Sequence, residues 1–157
     1  ALAADARALL RAAGHSEYEL SVLIVNDAAI RALNRDYRHK DRATDVLSFP
    51  LFEMPSRARL RERRQAASPD VRRGSGAGEA MLGDVVISIE TALGQAHELN
   101  LSPRERLRQL LAHGLTHLLG YDHERSRAAA RQQFAVEREL LATLATARTP
   151  RIARLSR

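Results

Sequence analysis

A cluster of three histidines constrains the fold of this chain more than any other feature of its sequence. His113, His117 and His123 fall in the run HGLTHLLGYDH. The first two lie four residues apart in a leucine-rich stretch that predicts a helix, so their imidazoles differ in direction by only about 40° and can reach one ion. Gly120 permits a tight or left-handed turn, which brings His123 back toward the same point. The run therefore predicts a core helix that ends beside a metal site.

The histidine spacing predicts a catalytic zinc site rather than a structural one. It is the ligand spacing of the long metzincin-type motif. The chain has no cysteine, so three imidazoles would leave a fourth position for water on a single zinc ion. The alternative is a pair of partly buried histidines, an unrelated surface histidine and a simple helix stop at Gly120. A peptidase is disfavoured because Gly114 stands where the H-E-x-x-H motif has its general-base glutamate.

Apolar periodicity and helix-end signals predict helices mixed with three or four strands. Gly14 ends the first helix, and Ser102 followed by Pro103 begins the histidine-bearing helix. Phe134 and Leu140 are among the apolar positions of the last helix. The pattern predicts an α+β or a mixed α/β fold. Helices are predicted over 2–13, 26–37, 102–120 and 126–146 and in the residues before 98, and strands over 17–25, over 45–49 and from 81 onward.

The chain is basic, with 25 Lys and Arg against 19 Asp and Glu, and Lys40 is its only lysine. Arginine binds phosphate in a bidentate manner, so a polyanionic partner explains the charge as well as a general arginine bias does. Residues 55–78 hold seven arginines and a glycine-rich end. This composition predicts a mobile surface insertion, which we expect to be a solvated loop rather than an RNA contact.

Length and composition exclude several classes of protein. A length of 157 residues suits a single domain over 1–157. No stretch is apolar over the roughly 18–20 residues that a membrane span needs, and the sequence shows no secretory signal. The lack of cysteine excludes disulfides. We therefore expect a cytoplasmic protein that makes no membrane contact.

Two further blocks accompany the histidine run. One extends over 33–50, from Leu-Asn through Tyr-Arg to TDVLSFP, and the other is LGDVVIS at 82–88. In this order the three blocks resemble the YbeY family of bacterial endoribonucleases, also called rRNA maturation factors, from about residue 20 to 141. The resemblance implies an α+β fold, with a small mixed sheet packed by several helices in a single domain. It also implies zinc-dependent cleavage of single-stranded RNA.

The same resemblance assigns expected roles to individual residues. His113, His117 and His123 match the metal ligands of the family, and Arg38 matches its functionally important arginine. A guanidinium near the metal would hold the scissile phosphate, whereas the sequence alone indicates only a surface arginine at a helix end. Thr116 departs from the leucine usual in the family. The implied role is 3′-end maturation of small-subunit (16S) rRNA and ribosome quality control, with single-stranded RNA, ribosomal RNA and the small ribosomal subunit as partners.

Other functions and roles are also compatible with the sequence. The chain could be a ribosome-assembly RNA-binding factor with a mainly structural metal, or a metal-dependent hydrolase of another substrate, such as a peptide. The nucleophile is either water or the 2′-hydroxyl. Asp84 lies in a predicted apolar strand and could hydrogen-bond the sheet edge, orient a ligand or bind substrate. A structural role is favoured, because an Asp after Gly often closes a turn. Asp122 suits a helix cap and a ligand-orienting role equally well.

Overall fold

The computed structural model describes residues 2–51, 80–121 and 126–146. In these ranges five helices pack around a three-stranded mixed sheet, which confirms the α+β class. The helices are α1 (Leu2–Ala12), α2 (Asp27–Arg38), α3 (Ile89–Glu98), α4 (Pro103–Leu118) and α5 (Arg127–Thr146). The strands are β1 (Tyr18–Val25), β2 (Val46–Pro50) and β3 (Ala80–Ser88). The insertion predicted at 55–78, Asp122 and His123 lie outside the described residues.

The helix ends follow the signals in the sequence. Asn26 caps α2 by accepting a hydrogen bond from the backbone N–H three residues later, at 2.9 Å. Ser102 and Glu105 form a reciprocal capping box at the start of α4, where Pro103 is the first helical residue. Gly120 follows α4 with a positive φ of 82°. These boundaries depend on side chains within a turn of each helix end, which is why local sequence predicts them.

β3 is the central strand of the sheet, parallel to β1 and antiparallel to β2. A bulge shifts the β1–β3 register next to Gly83, where φ is 154° and a Cβ atom would collide with the carbonyl oxygen of Phe49. Asp84 pairs with Phe49 inside the strand. Asp84 therefore lies inside the strand predicted from residue 81 onward, and the glycine before it serves a bulge rather than a turn. Asp84 shares a strand face with Val86, which packs toward α2 rather than α4.

A helical layer covers each face of the sheet. On one face, buried side chains of α1, α4 and α5 form one core with Val85 and Ile87, and α4 lies against β3. On the other face, Ile30 of α2 packs against Leu47 and Val86. α4 lies in the larger layer, so its rotation about its own axis decides which of its side chains reach the surface.

The buried stripe of α5 differs from the predicted one at its N-terminal end. Leu140 and Leu144 are buried, but Phe134 is 58% exposed while the neighbouring Gln133 is fully buried. The stripe runs through 133, 137, 140 and 144, so polar side chains occupy the end of it that faces the histidines. Within the described ranges, no helix is both long and apolar enough to cross a membrane.

Candidate metal centre

Close packing of α4 on the sheet fixes the direction of its histidines. A Cβ atom at Gly114 would lie 2.7 Å from Cγ1 of Val85 and 3.1 Å from Oγ of Ser48. The Ser48 hydroxyl donates to the Gly114 carbonyl oxygen at 3.1 Å. With the glycine against the sheet, His113 and His117 are half-buried at the side of the helix that lines a cleft. A glutamate at 114, as in H-E-x-x-H, would not fit without displacing Val85.

His113 and His117 meet at this side of α4. Their Nε2 atoms are 3.1 Å apart, and the ring planes form an angle of 79°. Two nitrogens that share a tetrahedral zinc ion at about 2.0–2.1 Å lie about 3.3 Å from each other. The pair therefore fits two ligands of a single ion. Among the described residues no group of three potential ligands is present, and His123, the predicted third ligand, lies outside them.

Glu137 of α5 contacts the histidine pair, although it is not among the predicted site residues. Its Oε1 atom lies 2.8 Å from Nδ1 of His113 and accepts from Nε2 of Gln133 at 3.1 Å. Gln133 also donates to Oγ1 of Thr116 at 3.1 Å. The Thr116 hydroxyl in turn donates to the carbonyl oxygen of His113 at 2.7 Å. A carboxylate that accepts from Nδ1 directs Nε2 of His113 toward His117.

The surroundings of Glu137 favour its ionised form. Burial raises the pKa of this carboxyl, but the hydrogen bond and charge of His113 and the bonds from Gln133 and Thr116 bring the pKa below its ordinary value of 4.5. Sequence carries a signal for this residue, because Glu137 lies three and seven positions before Leu140 and Leu144 on the buried stripe of α5. A carboxylate on an apolar helix face needs a polar partner, and His113 supplies it.

An open cleft of about 670 Å³ contains both the histidine pair and Arg38. Arg38 is exposed at the end of α2, where His39 adopts a left-handed conformation with φ 58°. The structure thus places Arg38 beside the same cleft as two of the predicted ligands. Volumes of this order are typical of ligand sites. The lining residues are 37–38, 44–50, 113, 117, 120 and 121.

Comparison with known protein families agrees with this architecture. A family model described as "Endoribonuclease YbeY" matches residues 3–145. The chain belongs to the YbeY family. The match extends from α1 into the last turn of α5 and includes every residue of the cleft.

Relatives in this family are similar over most of the chain. The protein named Endoribonuclease YbeY of Anaeromyxobacter sp. (strain Fw109-5) is 47% identical over 135 residues, which cover 86% of this chain and 59% of that protein. The YbeY endoribonuclease of Geobacter metallireducens is 44% identical over 140 residues, covering 88% and 81% of the two chains. The present chain spans about three fifths of the length of the two Anaeromyxobacter relatives, at 59% and 61%.

A solved structure shows the same fold. A protein of Thermotoga maritima, determined in solution, superposes with a TM-score of 0.53 at 23% sequence identity. The alignment covers 99% of this chain and 91% of the other. The arrangement of helices around the small mixed sheet is therefore shared by the two proteins.

Proposed function

We propose that this chain is a zinc-dependent endoribonuclease that cleaves single-stranded RNA. Its role would be 3′-end maturation of small-subunit rRNA and ribosome quality control in the cytoplasm, with ribosomal RNA and the small ribosomal subunit as partners. The observation that carries the proposal is the histidine pair with Nε2 atoms 3.1 Å apart, in a cleft that Arg38 also lines. Membership of a family described as endoribonucleases supports the reaction class.

The donor set suits one zinc ion, held by His113, His117 and, as the third ligand, His123. When bound, zinc supplies Lewis acidity toward phosphate oxygens. Glu137 holds the proton of His113 at Nδ1, and so keeps the Nε2 lone pair directed into the cleft. Arg38 donates hydrogen bonds to the phosphodiester, which positions it and offsets negative charge on its oxygens.

Gly114 favours a nuclease over a peptidase. Its position against Val85 leaves no room for the general-base glutamate of an H-E-x-x-H peptidase. Phosphodiester cleavage can instead take its nucleophile from water or from the adjacent 2′-hydroxyl. A 2′,3′-cyclic phosphate at the product end identifies the hydroxyl, and a 5′-phosphate with a free 3′-hydroxyl identifies water.

The test uses purified, metal-analysed protein and a single-stranded RNA. We expect the wild type to cleave it, and both His117→Ala and Arg38→Ala to lose cleavage, the second while folded and metal-loaded. Arg131→Ala removes a charge from an exposed position on α5 and is the matched control. Equal cleavage by all four proteins would indicate a contaminating ribonuclease. RNA binding without cleavage would favour the ribosome-assembly factor instead.

A further inference from the structure

The end of α2 exposes an aromatic ring beside the cleft. Tyr37 is 68% exposed and lines the same cavity as the histidine pair. Its ring meets that of Phe49 edge to face, with centroids 5.1 Å apart and planes at 65°. This contact braces the tyrosine from β2 while most of its surface remains accessible. A braced, exposed ring is suited to stacking against a flat ligand.

Positive charge at the turn that follows α2 is only partly neutralised. Arg31 pairs with Asp41 at 2.8 Å, and Arg35 pairs with Asp36 at 3.0 Å. Three further basic side chains are exposed and have no ion-pair partner within the described part of the chain: Arg38, Lys40 and Arg42. The turn therefore presents a local excess of positive charge next to Tyr37.

A buried asparagine fixes the backbone of this turn. The side-chain nitrogen of Asn34 donates to the carbonyl oxygen of Arg42 at 2.8 Å. The backbone carbonyl of Asn34 accepts from the N–H of Lys40 at 3.2 Å. Lys40 and Arg42 thus extend from an ordered backbone, so less conformational entropy is lost when they bind a ligand.

We propose that Tyr37, Lys40 and Arg42 form a binding track for single-stranded RNA that leads into the cleft. Tyr37 stacks on a nucleobase, and the two cationic side chains contact phosphates. The inference rests on the RNA substrate proposed above and adds the surface that holds the strand beside the reacting phosphodiester. An aromatic platform flanked by cations binds single strands with little sequence preference, because every base has a π-face. A duplex keeps its bases stacked and offers none to Tyr37, so the track selects for single strands.

The test measures binding of a short, end-labelled oligouridine by fluorescence anisotropy over a range of salt, with a chelator present to prevent cleavage. Tyr37→Ala is expected to weaken binding about tenfold, and Tyr37→Phe to retain it. Lys40→Ala/Arg42→Ala is expected to reduce the slope of log affinity against log salt by about 1.4, or about 0.7 for each lost phosphate contact. Arg11→Ala/Arg131→Ala removes equal charge from exposed positions on α1 and α5 and should change the slope little.

Two outcomes would overturn the proposed RNA track. One is the same slope of log affinity against log salt in the two double variants, and the other is a Tyr37→Ala variant that binds the oligouridine with wild-type affinity. The turn would then be assigned to a protein contact. Thermal melting checks that each variant is folded, which we expect because the substituted side chains are exposed.

A cleavage assay distinguishes the failure of this inference from the failure of the proposed function. RNA that is bound through the track but not cut by zinc-loaded protein overturns the nuclease alone, whereas cleavage with unchanged binding in the track variants overturns the track alone.

Discussion

Glu137 sets the orientation of His113, because its Oε1 atom lies 2.8 Å from Nδ1 of that ring. Glu137→Gln keeps the size of the side chain but removes the negative charge that favours a proton on Nδ1. We expect zinc affinity to fall roughly 10–100-fold, the usual effect of losing a group that orients a ligand. Competition with a chromogenic chelator measures the affinity, and the absorption spectrum of the Co²⁺-loaded protein reports the ligand geometry.

Glu139→Gln is the matched control for this variant. Glu139 is exposed two residues further along α5, so the same loss of charge should leave zinc affinity unchanged. Equal affinities in the two variants would contradict the role of Glu137. Melting of both proteins without metal checks that neither substitution unfolds the chain.

The candidate site is predictable at the residue scale only where its contacts are local. His113 and His117 are four apart on one helix, so helical geometry alone brings their side chains together. Glu137 lies 24 residues beyond His113, and its approach depends on how α5 packs on α4. Arg38 was predicted only from the resemblance to the YbeY family, because nothing in its local sequence distinguishes it from other arginines at helix ends.

At the scale of elements, the contact between α4 and β3 depends on the missing side chain of Gly114. Gly114→Ala would bring a Cβ atom to 2.7 Å from Cγ1 of Val85. We expect the substitution to lower the free energy of unfolding by about 1–3 kcal/mol through overpacking. It should also weaken zinc binding, since any shift of α4 moves both histidines. Urea denaturation and the chelator competition measure the two effects.

Gly94→Ala supplies the comparison that isolates packing from helix propensity. Gly94 lies in α3, and a Cβ atom there would meet nothing within 4 Å. Alanine is the better helix former, so the free energy of unfolding of this variant should be higher than that of the wild type by about 0.5–1 kcal/mol. Adding Val85→Ala to Gly114→Ala makes room for the new methyl group and should restore zinc affinity. Stabilisation by both glycine substitutions would contradict the close contact between helix and sheet.

The ends of the helices are more predictable from this sequence than the pairing of its strands. The capping box of Ser102 and the left-handed Gly120 are local signals, and both mark the ends of α4 correctly. The bulge at Gly83 depends on a pairing between β1 and β3, which are more than 50 residues apart in the chain. A Gly-Asp pair has the same local sequence in a turn as in a bulged strand, so local sequence alone could not show that Gly83 serves a bulge.

For the whole molecule, the strand order β1-β3-β2 could not be predicted from local sequence either. Alternating and buried apolar residues mark three strands, but the pairing of β1 parallel to β3 is decided by how helices cover both faces of the sheet. The α+β class follows from the mixture of elements, whereas the cleft exists only once α2, β2 and α4 come together around it. Its lining therefore could not be read from sequence.

A buried ion pair joins the first helix to the centre of the fold. The carboxylate of Asp5 in α1 accepts from Nη2 of Arg108 at 2.7 Å and from its Nε at 3.0 Å. The bond from Arg108 lowers the pKa of Asp5 below its ordinary 3.8, and burial, which raises it, does not cancel this effect. A depressed folded-state pKa means that the pair stabilises the fold fully above the unfolded pKa of about 3.9. That contribution is lost as the pH falls through the folded-state pKa.

Asp5→Asn should therefore destabilise the protein at neutral pH more than in acid. It leaves the buried guanidinium of Arg108 without its counter-charge, which costs about 3 kcal/mol near pH 7, the lower end of the range for buried pairs. Near pH 3, below the unfolded pKa, the contribution of the pair to stability has begun to fall, so the difference between the two proteins should shrink. Asp41→Asn breaks the exposed pair with Arg31 and should change stability little at either pH. Urea denaturation at both pH values measures the effect, and a constant difference between wild type and Asp5→Asn would show that the ion pair does not set the acid stability of the fold.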